Sequence, residues 1–205
     1  MRFNQPLDDL LGQQSKVKLI RFLVKTNAEM AGRELARAVG LAQRITHSAL
    51  MELWKQGIVR MRRVGSAKLY KLNEENLFVS DALRPLFAFE DKLQNHMTQL
   101  LIRALKNDID SIILFGSMAE GGERPDSDID LLIIIKERVN LSTIDEKIDE
   151  ISLLVSKKFG NLLSPVLLKA SQFRLKYQKN DKFVKSIVKK GKIIYGKAFI
   201  ETIYA

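Results

Sequence analysis

Asp128 and Asp130, separated only by Ile129, open the apolar run 130–135 (DLLIII). In an extended strand residues i and i+2 project to the same face, so these two carboxylates point one way. Two hard oxygen ligands so placed suit Mg²⁺, or Mn²⁺ in its stead, which takes one or two carboxylates and completes its shell with water and phosphate oxygens. Upstream, a short apolar stretch, 111–115 (SIILF), runs into Gly116-Ser117. A helix beginning there would present unpaired N–H groups and a positive dipole end, where the phosphates of a nucleoside triphosphate can settle. Gly116 would let the backbone approach a phosphate closely, and the Ser117 hydroxyl could donate to it.

The elements that must hold these residues follow from periodicity. Strands are predicted over 111–115 and 130–135, an amphipathic helix over 142–159, a third strand over 162–168 and one or two basic helices over 171–190. Strands mixed with helices at this spacing predict an α/β or α+β domain. Ahead of it, residues 16–25 (Val17, Ile20, Leu23, Val24), 32–39 and 42–56 read as three short helices, the second stopped by Gly40. In the third, Ile45, Leu50, Leu53 and Trp54 form the expected buried stripe. Residues 58–63 and 68–72 alternate as strands of a hairpin, and a helix over about 80–106, with Pro85 in its first turn, joins the two parts. The expected boundaries are 1–76, 77–107 and 108–205.

The chain has 205 residues, 34 Lys+Arg against 24 Asp+Glu, a net charge of +10, two His and no Cys. Without cysteine there is no disulfide scaffold, thiolate zinc site or Cys nucleophile, and two isolated histidines argue against a His-rich metal cluster. No apolar run approaches the ~18 residues of a membrane span, and the first ten residues lack a signal-peptide core, so a soluble cytoplasmic protein is expected. The positive surplus points to polyanionic partners. It is concentrated in residues 1–85 and in 169–197, where Asp181 is the sole acid, while 86–168 is close to balanced or acidic.

The order helix, helix, four-residue turn, helix, hairpin over about residues 10–75 resembles a winged helix-turn-helix domain. In such a domain the third helix enters the major groove of double-stranded DNA and the wing reaches phosphate or minor groove. The resemblance implies contacts from Gln43, Arg44, Thr46, His47 and Ser48 on that helix, and from Arg60, Arg62, Arg63 and Lys68 in the wing, with Arg60 and Arg62 on one strand face. Many winged domains act instead as docking or dimerising modules. A homodimer is therefore compatible with the resemblance, although no heptad argues for it.

The stretch GS…PDSDIDLLI resembles the nucleotidyltransferase superfamily of the DNA polymerase β type, most closely the minimal nucleotidyltransferases, over about residues 100–197. The resemblance implies that Asp128 and Asp130 are the catalytic metal ligands and that Gly116 and Ser117 hold the triphosphate, with ATP the expected nucleotide. An acceptor hydroxyl would attack the α-phosphorus and pyrophosphate would leave. Two positions depart from the family. Where an Ala-Arg-Gly run is common, this chain has Ala119-Glu120-Gly121, leaving Arg124 as the candidate cation. The strand that often supplies a third carboxylate reads Leu162-Leu163-Ser164-Pro165-Val166.

Two functions follow. One is a winged-helix DNA-binding protein whose second domain binds Mg-NTP and transfers NMP to a hydroxyl, such as that of a partner protein in antitoxin fashion. The other is a non-enzymatic transcriptional regulator whose second domain only senses nucleotide or dimerises. The lysines and aromatics of 173–196 fit either a solvated amphipathic helix or a basic rim that guides polyanions.

Overall fold

The computed structural model describes residues 6–124 and 127–204. The chain forms two compact units, Met1–Leu93 and Gln94–Ala205. The mixed α+β architecture expected above is present.

In the first unit, helices α1 (Pro6–Leu11), α2 (Gln14–Thr26), α3 (Gly32–Val39) and α4 (Gln43–Lys55) precede a hairpin of β2 (Val59–Val64) and β3 (Ala67–Leu72). A two-residue strand β1 (Met30–Ala31) adds to β3, giving the sheet order β1-β3-β2. This is the winged helix-turn-helix arrangement. α1 and β1 are additions to the sequence reading; β1 is too short to show a period. Leu19, Ile20 and Leu23 of α2, Leu35 of α3, and Leu50 and Leu53 of α4 close on Tyr70 and Leu72 of the hairpin as one core. Val64 pairs with Ala67 across the hairpin end, and Gly65 takes the positive φ (58°) that so tight a reversal requires.

The buried face of α4 is set one residue off the expected stripe. Thr46, Ala49, Leu50 and Leu53 face inward. Ile45 is 50% exposed and Trp54 40% exposed. Thr46 is tolerated inside because its hydroxyl donates to Ala42 O at 3.1 Å, which satisfies it. Beyond the hairpin, Val79–Leu83 form a π-helical turn, closed by the Arg84 N–H on Val79 O, and α5 (Arg84–Leu105) follows with Pro85 as its second residue. The division between the units falls within α5.

The second unit holds β4 (Ile109–Leu114), α6 (Gly116–Glu120), β5 (Ile129–Ile135), α7 (Leu141–Phe159) and β6 (Leu163–Lys169). After them come α8 (Ala170–Gln178), α9 (Lys182–Lys190), β7 (Lys192–Gly196) and α10 (Phe199–Tyr204). The sheet order is β6-β5-β4-β7, with β5 and β6 parallel and the other pairs antiparallel. Beyond Asp130, β5 is apolar because both its faces are covered. Leu131, Ile133 and Ile135 pack with Leu101, Ile144, Ile148 and Val155, while Leu132 and Ile134 pack with Phe173, Val184 and Ile187. β6 lies at the sheet edge, half-exposed throughout, with Pro165 in its middle.

Candidate functional site

β4 ends at Leu114, and Gly116 opens α6 at φ 68°, a conformation that costs a side-chain-bearing residue about 1–2 kcal/mol. Phe115 N–H donates to Asp130 O at 3.0 Å, which fixes the turn beside the head of β5. The fit is close: a Cβ on Gly116 would overlap Asp130 Oδ2 and lie 2.9 Å from its Cγ. The backbone of the Gly-Ser turn and the Asp130 carboxylate therefore face one another at contact distance. Ser117 is half-buried in the first turn of α6.

Asp128 is exposed and Asp130 half-buried. Burial first, and then the negative charge of Asp128, push the Asp130 carboxyl above the ordinary Asp range; a hydrogen bond from the Ser164 hydroxyl works in the opposite direction. Mutual repulsion of this kind means that the two acids share a neighbourhood, as the i, i+2 spacing requires. By strand alternation Asp130 lies on the sheet face of Leu132 and Ile134, the face covered by α8 and α9.

The donor set fits one hard divalent ion. It offers two carboxylates, one of them destabilised in its charged form by the other, beside a backbone turn that can take phosphate. Among the described residues no group of three or more His, Cys, Asp or Glu could hold a metal. Parallel pairing sets Ser164 directly beside Asp130, so the neighbouring strand supplies a hydroxyl where a carboxylate would complete such a group.

Glu120, an awkward charge for a phosphate site, is held at the end of α6 by Lys190 of α9, whose Nζ lies 3.0–3.1 Å from both carboxylate oxygens. At the other end of α9, the ring of Phe183 meets Phe115 edge-on at 5.4 Å. The nine residues of this basic helix thus bracket the turn, a placement that no local spacing reveals. Arg124 is exposed in the loop before β5, where its N–H donates to Ser127 Oγ at 2.9 Å and the Asn161 amide donates to Ser127 O at 3.0 Å. Pro125 and Asp126 lie outside the described residues. Ser164 and Lys190 are the site neighbours that sequence reasoning passed over; Ser164 was visible only as a missing acid, and Lys190 only as one lysine in a run.

In the winged unit, Gln43, Arg44, His47 and Ser48 are exposed on α4, but Thr46 is 1% exposed and cannot reach a groove. Arg60 and Arg62 share a strand face, as alternation requires, yet that face is already paired. Arg62 Nε and Nη2 donate to Glu29 at 2.6 and 2.5 Å. Arg60 Nε donates to Asn73 Oδ1 at 2.7 Å, and its Nη2 pairs with Glu75. Arg63 and Lys68 sit opposite each other across the hairpin, Arg63 exposed and Lys68 half-buried. Among the described residues no helix is long and apolar enough to cross a membrane.

Residues 99–199 match the Polymerase beta, Nucleotidyltransferase family. A putative protein adenylyltransferase of Methanocaldococcus jannaschii is 42% identical over 65 residues, a stretch that spans 32% of this chain and 65% of that protein. Among solved structures, reduced HlyU from Vibrio cholerae N16961 aligns at TM-score 0.35 and 18% identity, over 42% of this chain and 83% of that one. A toxin–antitoxin structure with AMP-PNP aligns at TM-score 0.35 and 17% identity, over 52% of this chain and 83% of that one. The family match falls on the unit in which the Gly-Ser turn meets the paired acids. The stretch similar to polymerase β nucleotidyltransferases, residues 99–199, thus follows a unit with the winged helix-turn-helix arrangement.

Proposed function

We propose that this protein binds a Mg²⁺–nucleoside triphosphate, ATP in the first instance, between Gly116-Ser117 and Asp128/Asp130, and transfers its nucleoside monophosphate to a hydroxyl acceptor. The observation that carries this reading is the contact between Gly116 and the Asp130 carboxylate, which leaves room at the turn for no side chain. Phosphate oxygens would be held by the backbone amides of the turn and by the Ser117 hydroxyl. Asp128 and Asp130 would hold the metal, which when bound neutralises phosphate charge and polarises the α-phosphorus. Ser164 would orient Asp130 through its hydrogen bond, Lys190 would keep Glu120 away from the phosphates, and Arg124 would add positive charge from the loop. The adenylyltransferase relative favours a protein hydroxyl as acceptor.

The winged unit would dock on duplex DNA through Gln43, Arg44 and His47, in keeping with homodimeric use of such units. The test of transfer is incubation with α-³²P-ATP, MgCl₂ and candidate acceptor proteins. Labelled acceptor is expected from the wild type, with loss of at least a hundred-fold in Asp128→Asn and Asp130→Asn. Label that persists undiminished in both variants would overturn the assignment of the site.

A second reading, a nucleotide-sensing regulator without turnover, is favoured by Ser164 standing beside Asp130. General-base assistance is worth roughly 10²–10⁴ in rate, and no acid is available on that strand to give it. That reading expects ATP binding by calorimetry, no pyrophosphate release, and DNA affinity that changes with ATP.

A further inference from the structure

The register of β4 and β5 carries on for one residue past the end of β4. Leu114 lies opposite Leu131, and Phe115 N–H donates to Asp130 O at 3.0 Å. Phe115 is extended (φ −134°, ψ −167°), so its ring projects on the same sheet face as the Asp130 carboxylate. On that face the Phe115 ring meets Phe183 of α9 edge-on, with centroids 5.4 Å apart. Phe183 is nevertheless 41% exposed, although Val184 and Ile187 of the same helix are buried in the core beneath. A large apolar ring is thus left facing solvent, separated by Phe115 from an acid of the candidate metal site. The polar groups of α9 near it are few and partly engaged. Ser186 is exposed one turn on, Lys185 lies over the Tyr177 ring at 3.9 Å, and Lys190 is held by Glu120. The Asp181 carboxylate ahead of the helix accepts the Val184 N–H.

We propose that Phe183 is the shelf on which the base of the bound nucleotide stacks, with Phe115 holding its ring from the edge. This rests on the nucleotide-binding reading above and adds to it the selectivity among bases. With the triphosphate on the Gly116-Ser117 amides and the metal on Asp128 and Asp130, the nucleoside end extends along the face that carries Phe115 and Phe183. Every base has a π-face, so stacking on a phenyl ring tolerates all four. Telling one base from another takes donors and acceptors paired to its edge, and α9 offers a hydroxyl and ammonium groups there, with no amide or carboxylate among them. Selection is therefore by stacking area. ATP and GTP bind alike, and CTP and UTP bind less well.

The test is calorimetric titration of the full chain, in MgCl₂, with ATP, GTP, CTP, UTP and inorganic tripolyphosphate, which carries the phosphates without base or sugar. Phe183→Leu is expected to weaken ATP and GTP about ten-fold and to leave tripolyphosphate affinity unchanged. Phe183→Trp should keep or raise ATP affinity. The indole at that position, read in Phe183→Trp/Trp54→Phe so that it is the one tryptophan, should be quenched by Mg-ATP and not by Mg-tripolyphosphate. Equal loss of ATP and tripolyphosphate affinity in Phe183→Leu overturns the shelf, because the ring then serves only to seat α9. ATP affinity unchanged by Phe183→Leu overturns it too, as does indole emission indifferent to ATP in a variant that binds it. A wild type that binds ATP and rejects GTP overturns selection by stacking. If the wild type binds neither ATP nor tripolyphosphate, the nucleotide-binding reading fails and the shelf falls with it. If it binds both while the Phe183 variants behave as wild type, the shelf alone falls.

Discussion

Gly116 and the Asp130 carboxylate adjoin so closely that no side chain fits at Gly116 while Asp130 keeps its place. In Gly116→Ala the left-handed φ alone should cost about 1–2 kcal/mol, and the new methyl would also push the Asp130 carboxylate out of place. Urea denaturation should show the lost stability. Calorimetry with Mg-ATP should show binding weakened by far more than the change in fold explains. A fall in stability with unchanged nucleotide affinity would mean that the turn shapes the chain but does not hold phosphate. Both residues were singled out before any coordinates, because strand alternation and a Gly-Ser step are local signals, but their contact was not, since it depends on how β4 and β5 pair. The hydroxyl of Ser164 beside Asp130 was not, since it depends on the parallel register of β5 and β6, which no local pattern encodes.

Helix α4 shows how a one-residue shift changes a list of contacts. Ile45 and Trp54 are more apolar than Thr46 and Ala49, so hydrophobicity alone chose the wrong stripe; a threonine that bonds its own helix backbone is a cheap occupant of a core. Thr46→Val should therefore leave DNA affinity unchanged in anisotropy titrations, whereas Arg44→Ala should weaken it and blur discrimination between sequences. Likewise the pairing of Arg60 and Arg62 with Glu75 and Glu29 joins residues from separate elements and escapes any reading of the strand by itself.

Helix α9 depends on a single cap. The Asp181 carboxylate accepts the Val184 N–H at 3.0 Å, and this bond, ahead of the nearby Lys176 charge, holds its pKa below the usual range. Because the folded-state value is lowered, the stabilisation is present above the ordinary Asp pKa of about 4 and is lost as pH falls through the lower folded value. Asp181→Ala should melt earlier than wild type at pH 7, and the difference should shrink in scans toward pH 2. Fraying there would loosen Phe183 from Phe115 and Lys190 from Glu120.

Among the described residues there is one apolar core in the first unit and two, on opposite faces of one sheet, in the second. Ligands bound to one folded unit raise the transition of that unit by mass action. Differential scanning calorimetry should therefore resolve two transitions or one broadened beyond two-state width, with Mg-ATP moving one component and duplex DNA the other. A single sharp transition that both ligands shift equally would show that the halves unfold as one. The overall charge of +10 raises the expectation of polyanionic partners, but only folding decides which cations are already paired.

Pro165 sits midway along a border strand that would otherwise present an unbroken row of amide donors to any passing chain. Its ring removes one hydrogen from that row, so a stray β-segment finds a gap where it needs a rung. A valine at that position would restore the missing donor to this edge.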